Sequence, residues 1–174
     1  MVYDLPDFCA DAHASLKAKP LPAALDDIAR DLSRLLANEA FVRASFHDDT
    51  PPGKTMLFHD PELDFYVYAH TQAEGKGGAP HSHGSSWAVY GNAKEFTEMT
   101  EYTRVNPESE EAVVLKKSDH YRLGPGQTRG YGPGVIHSTA HPKKAWVVRV
   151  TGTDLDKIPR YHFKKSRDKV LEEA

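Results

Sequence analysis

Between residues 22 and 39, Leu25, Ile28, Ala29, Leu32, Leu35 and Leu36 recur at three- and four-residue intervals, with Asp26, Asp27, Arg30, Asp31 and Arg34 between them. One face of a 3.6-residue helix is then apolar and the other charged, which predicts an amphipathic helix laid on a core. A weaker helix is expected over 6–17, broken by Pro20 and Pro22, whose rings remove an amide hydrogen and crowd the preceding turn. After Asp48 the pattern changes. The runs "KTMLF", "DFYVYAHT", "SSWAVYG", "EFTEMTEYTRV", "EAVVLKK", "HYRLG" and "KAWVVRVTG" are rich in β-branched and aromatic residues, and turn signals such as "DDTPPG", "AEGKGGAP", "NPES", "GPGQ" and "GPG" separate them. Many short strands between Gly/Pro turns predict a mainly β chain, an antiparallel barrel or sandwich, with N-terminal α-helices. The tail "KKSRDKVLEEA" is charged and expected to fray or form a brief helix.

A chain of 174 residues fits one domain with a small helical appendage. The expected division is a helical segment over 1–44 packed on a barrel over 45–165, with a charged tail over 166–174. Twenty-two basic and 25 acidic residues are interspersed along the chain for a net charge of −3. No basic stripe of the kind a phosphate backbone requires is present, so nucleic acid is not an expected partner. The N-terminus carries acids where a signal peptide carries positive charge, and the longest apolar run is "FYVYA" at 65–69. A cytoplasmic protein without a membrane partner is expected. The single cysteine, Cys9, cannot form an internal disulfide or a thiolate zinc cluster, so a bound metal must be held by nitrogen and oxygen.

The stretch "HSHGSSWAVYG" holds His81 and His83 one residue apart. In a strand, residues two apart share a face, so both rings can reach one point inside a barrel. Among ten histidines such a pair is weak evidence by itself. Downstream, "GQTRGYGPGVIHSTAH" delivers His137 after a Gly-Pro-Gly turn, from a separate hairpin. A third imidazole completes a facial ligand set and leaves the opposite side of an ion open to substrate.

These residues resemble the cupin superfamily. Its first motif, a glycine, five residues and His-x-His, matches "GKGGAPHSH" led by Gly75; its second matches Gly126 followed by "GPGVIH", with Gly134 and His137 in register. The resemblance covers roughly residues 45–163 and implies a cupin double-stranded β-helix, a jelly-roll barrel with one metal in its mouth, held by His81, His83 and His137. The glutamate that cupins often place four or five residues after the second histidine is replaced by Trp87 and Ala88. Within the superfamily, "HSHGSSWAVYG" and "VVRVTGTDL" are similar to the cysteine dioxygenase and 3-mercaptopropionate dioxygenase group, which binds Fe(II) through three histidines. The Ser-x-His-x-Tyr triad of that group is replaced by Val147, Arg149 and Thr151, so the thiol substrate does not carry over.

Three neutral imidazoles leave Fe(II) its full charge, which favours an anionic, chelating substrate and dioxygen in the remaining position. Arg149 is expected to face the cavity, where it either binds a substrate carboxylate or pairs with a glutamate of "EFTEMTEY". Trp87 shares parity with the histidine pair and either walls the pocket or belongs to the core. His141 either hydrogen-bonds and shuttles protons or is a wet rim residue. Tyr66, Tyr68 and His70 share one strand face, turned either to the cavity or to solvent. Glu95, Glu98 and Glu101 are expected on a solvated strand face, unless one replaces the missing ligand. His13, His47, His59, His120 and His162 have no spacing that recruits them.

Three readings stay open. The first is a non-haem Fe(II) dioxygenase inserting O2 into a small anionic molecule. The second is an enzyme using Zn, Ni or Mn as a Lewis acid for isomerisation or hydrolysis. The third is a ligand-binding cupin without catalysis. The resemblance also allows a homodimer formed through outer strands.

Overall fold

The computed structural model describes residues 2–159, 161–163 and 168–171. Three helices lead the chain: α1 over Leu5–Ala18, α2 over Leu21–Leu36 and α3 over Glu39–Ser45. Helix α1 opens on a reciprocal cap, in which the Asp4 and Asp7 carboxylates each accept the other's backbone amide at 3.1 Å. Pro22 lies in the first turn of α2, where a missing amide hydrogen costs nothing, so the two prolines separate α1 from α2 without harming either. Helix α3 was not expected from the pattern. It forms because Asn38 Oδ1 accepts the amides of Ala40 and Phe41.

Ten strands follow: β1 (Gly53–His59), β2 (Tyr66–Gln72), β3 (Lys76–Gly77), β4 (Ala88–Lys94), β5 (Thr97–Arg104), β6 (Val114–Leu123), β7 (Thr128–Tyr131), β8 (Ile136–His141), β9 (Ala145–Thr151) and β10 (Lys169–Leu171). They form two five-stranded sheets with the orders β1-β2-β9-β4-β7 and β10-β6-β5-β8-β3. The chain crosses between sheets so that β2, β9, β4 and β7 face β3, β8, β5 and β6, all pairing antiparallel. This interleaved eight-strand order is that of a jelly roll, the double-stranded β-helix. The chain is thus mainly β with N-terminal helices, as the pattern predicts.

Alternation sorts the first sheet into two faces. Val67, Ala69, Val89, Val148 and Val150 point outward and join Leu25, Ile28, Leu32 and Leu35 in one buried cluster. Each of these large side chains stabilises the fold by roughly 1.5–3 kcal/mol on burial, which is how the apolar stripe of α2 holds the helices to the barrel. Cys9 lies in the same cluster, where burial pushes its thiol up to about 12, so it offers no thiolate. The opposite face carries Tyr66, Tyr68 and His70 from β2, Val147, Arg149 and Thr151 from β9, and Ala88, Tyr90 and Asn92 from β4, paired across the strands in register. That face forms the barrel interior.

Three local expectations change. The runs "EAVVLKK" and "HYRLG" join in one strand, β6, because an irregularity opposite Glu101 and Tyr102 lets Ser118 bulge while Asp119 stays in register with Glu101. Strands β7 and β8 are formed by "TRGY" and "IHSTAH", which carry too few apolar residues to read as strands alone. In the tail, Lys169–Leu171 is not helical but pairs parallel with Val114–Lys116; the rest of 166–174 other than Asp168 lies outside the described residues. Among the described residues no helix is long and apolar enough to cross a membrane.

Candidate metal centre

The two histidine motifs meet through the backbone. Lys76 and Gly77 of β3 pair with His141 and Ala140 of β8, and the ladder resumes at His81, which exchanges two hydrogen bonds with His137, each 2.9 Å. Opposed residues of such a pair project to the same side, and the two ring centroids lie 4.7 Å apart. His83 follows in extended chain, and the turn begins at Gly84, whose φ of 61° is one that side-chain-bearing residues rarely adopt. The Gly84 carbonyl accepts the Gly134 amide at 3.0 Å, a second tie between the motifs. The His83 ring lies 5.5 Å from His81 and 4.9 Å from His137.

One nitrogen from each ring falls within 4.8 Å of the others. Metal–nitrogen bonds of about 2.0–2.1 Å put neighbouring ligand atoms about 2.9–3.4 Å apart, and rotation of the rings about their side-chain bonds brings the nitrogens toward that spacing. The His81 Nδ1 lies 3.0 Å from the Ala79 carbonyl, a contact in which that nitrogen donates and which fixes the ring's orientation. His137 is completely buried, and its ring nitrogens make no well-formed hydrogen bond beyond a backbone contact to Val135. Burial, reinforced by His81, lowers its pKa to about 3, so the ring is neutral and its lone pair available. A bare acceptor in a dry interior costs free energy unless something occupies it, and an imidazole-only donor set suits Fe, Ni or Zn better than Mn, which favours oxygen ligands. The residues therefore fit an ion. Among the described residues no carboxylate or thiol joins the group.

The three glutamates are engaged elsewhere. Glu95 lies 3.7 Å from Lys143 and Glu98 2.9 Å from Arg122. Glu101 is the register partner of His137, yet its carboxylate accepts the Tyr121 hydroxyl at 2.7 Å and an Arg129 guanidinium at 3.1 Å. Tyr121 is linked in turn to Tyr131 at 2.6 Å, and the Tyr131 ring stacks on His137 with centroids 4.4 Å apart. Burial pushes both phenols up, so this chain is neutral apart from its glutamate and arginine.

Arg149 lies opposite Tyr68 on one side and Tyr90 on the other. Its buried Nε has no hydrogen-bond partner, and among the described residues it has no ion pair. The expected alternative of a pairing with "EFTEMTEY" is thus not realised. His81, Tyr90, His141, Val147, Arg149 and His162 share a cavity of about 280 Å³. His141 is buried rather than wet: its Nδ1 lies 3.3 Å from the Thr97 hydroxyl, and burial lowers its pKa to about 4.

Tyr66 and Tyr68 also face inward. Their rings stack at 5.7 Å and both are buried, Tyr68 with its phenol raised to about 12 by burial. They lie beside Arg149 rather than on the wall of the histidine cavity. His70, next along β2, is held neutral by burial, with Arg149 and Lys54 adding to the effect, and its Nε2 has no hydrogen-bond partner.

Trp87 corrects the parity argument. The turn after His83 resets the alternation, and Trp87 faces the helices in the outer cluster, with Gly152 pressed against its indole. The residue that takes the inward place is Tyr90, whose hydroxyl lies 3.3 Å from His83 Nε2. Its signal was present in "SSWAVYG", but only the turn decides which parity faces in. Spacing along the chain does not recruit His162; tertiary structure bridges it to His81 with ring centroids 5.6 Å apart.

No family model matches the chain, and no curated protein matches it. Solved structures do. A protein with a double-stranded β-helix domain from Klebsiella pneumoniae is 15% identical over 71% of this chain and 89% of its own, with a TM-score of 0.47. A cupin superfamily protein from Desulfitobacterium hafniense is 11% identical over 65% and 87%, with a TM-score of 0.46. KdgF from Halomonas sp. is 19% identical over 60% and 82%, with a TM-score of 0.43. The chain is similar to each of these in its β-fold.

Proposed function

We propose that the protein is a metal-dependent enzyme, a non-haem Fe(II) dioxygenase acting on a small carboxylate-bearing substrate. The observation that carries this reading is the placement of three clustered imidazoles and of Arg149, half-buried with its inner Nε unpartnered, on one barrel interior. When bound, the ion supplies coordination positions and electrons for dioxygen. His81, His83 and His137 are the residues that would hold it.

Arg149 binds and orients the substrate carboxylate, since a guanidinium on the cavity wall without an internal acid is free to take an incoming one as a charge-assisted partner. Tyr66 and Tyr68 stack behind it and limit its freedom. Val147 and Tyr90 line the same cavity beside Arg149. His141, neutral and buried at the wall, accepts or returns a proton at Nε2 while its Nδ1 stays with Thr97. That same neutral imidazole supports a second reading, in which Zn, Ni or Mn polarises the substrate and His141 is the base for isomerisation or hydrolysis.

Metal content after purification without added metal, followed by oxygen uptake with Fe(II) and a panel of thiol acids, diketones and phenolic acids, separates the readings. Oxygen consumption dependent on one of these anions supports the dioxygenase. Binding without consumption removes the dioxygenase and leaves the Lewis-acid and ligand-binding readings, which isomerised or hydrolysed product then separates; neither binding nor consumption counts against the dioxygenase.

A further inference from the structure

We infer that the Tyr90 phenolate oxygen is a fourth, anionic ligand of the centre formed by His81, His83 and His137. The inference rests on the metal reading above and completes a donor set that otherwise lacks an acid.

The first support is a distance. Two ligand atoms bonded to one ion at about 2.0–2.1 Å, and meeting at an angle between square and tetrahedral, stand about 2.9–3.4 Å apart. The Tyr90 hydroxyl oxygen stands 3.3 Å from His83 Nε2.

The second support is constraint. Tyr90 is nearly buried, on the inward face of β4, with Arg149 as its register partner in β9 and Arg129 in β7. Its ring meets Tyr131 and His137 edge-on, with centroids 5.7 and 5.8 Å away. The phenol is therefore held at the ring cluster by packing on several sides. Tyr131, the other tyrosine touching His137, has its oxygen committed to Tyr121, and the three glutamates of 95–101 are committed to Lys143, Arg122 and Arg129.

The third support is charge. Three neutral imidazoles leave a divalent ion uncompensated in a buried cluster that also faces Arg149, and each uncompensated buried charge is costly. A phenolate removes one unit and leaves room for a monoanionic substrate on Arg149. The competing role, a hydrogen bond from Tyr90 to His83 Nε2, would occupy that lone pair and exclude it from the ligand set.

The test uses the full chain loaded with Fe(III). An iron–phenolate bond gives an intense visible charge-transfer band and resonance-enhanced phenolate ring modes, which an all-imidazole site lacks. The expected result is that the wild-type protein shows both, and that Tyr90→Phe still takes up iron but loses the band and the ring modes. Bound iron without either signal, or the same signals in Tyr90→Phe, would overturn the assignment of Tyr90. Failure to take up iron at all overturns the metal reading, and Tyr90 with it. The Raman measurement on the wild-type protein decides the matter even if the variant folds poorly.

Discussion

His81 and His137 are joined twice through the backbone, each amide donating to the other's carbonyl at 2.9 Å, so the two motifs that carry the imidazoles are zipped together before any ion is considered. The rings need no metal to be neighbours. A centre assembled this way binds with little ordering cost, because the backbone has already fixed two of its three ligands.

His137→Ala is expected to lose metal while keeping the barrel. The ring's nitrogens make no hydrogen bond that the fold depends on. Metal affinity should fall about 100-fold or more, read as metal stoichiometry after dialysis, with the β-type circular dichroism retained. Stoichiometric metal in the variant would remove His137 from the ligand set.

Arg149→Met should weaken binding of a carboxylate substrate by about 10- to 100-fold, the worth of a charge-assisted hydrogen bond. Because the guanidinium has no partner to lose, thermal stability should stay level or rise. Titration of substrate into metal-loaded protein measures the first and a melting curve the second. Equal loss of substrate and metal affinity would make Arg149 structural.

Glu101→Gln should leave metal stoichiometry unchanged, since the carboxylate serves Tyr121 and Arg129. Its cost should be in stability, about 1–3 kcal/mol for weakened charged hydrogen bonds, read by denaturant unfolding. Loss of metal in this variant would identify the carboxylate as a ligand.

Acid should destabilise the metal-free protein through His70 and His141. Both are held neutral by burial, His141 with a pKa of about 4, whereas an unfolded histidine titrates near 6.5. Between these values the unfolded chain binds protons that the folded chain refuses. Their contribution is complete above about pH 6.5 and is lost as pH falls, by up to about 1.4 kcal/mol per pH unit for each histidine. Unfolding midpoints from pH 7 to 5 should therefore drop, and His141→Gln should make the drop shallower. An unchanged slope in the variant would count against a neutral buried His141.

Gly152→Ala should destabilise by about 1–3 kcal/mol through overpacking. An added Cβ would clash with the Trp87 indole, which is buried in the outer cluster. A shifted tryptophan emission and a lowered melting temperature are the expected signs. Wild-type stability would show that Trp87 has room the structure does not provide.

The sequence by itself determined the elements whose signal is local. The leucine stripe of α2, the aromatic and β-branched strands, and the spacing of His81, His83 and His137 all follow from periodicity and motif, because side-chain direction repeats every 3.6 residues in a helix and every two in a strand. Tertiary structure decided what crosses turns and sheets. The bend at Gly84 turned Trp87 to the helices and Tyr90 to the histidines, and the pairing of the glutamates with Lys143, Arg122 and Arg129 left Arg149 without an internal acid. His162 reached His81 from the far end of the chain. Parity holds only within an unbroken strand, and a charge's partner depends on which strands the barrel brings side by side, so neither was legible along the chain.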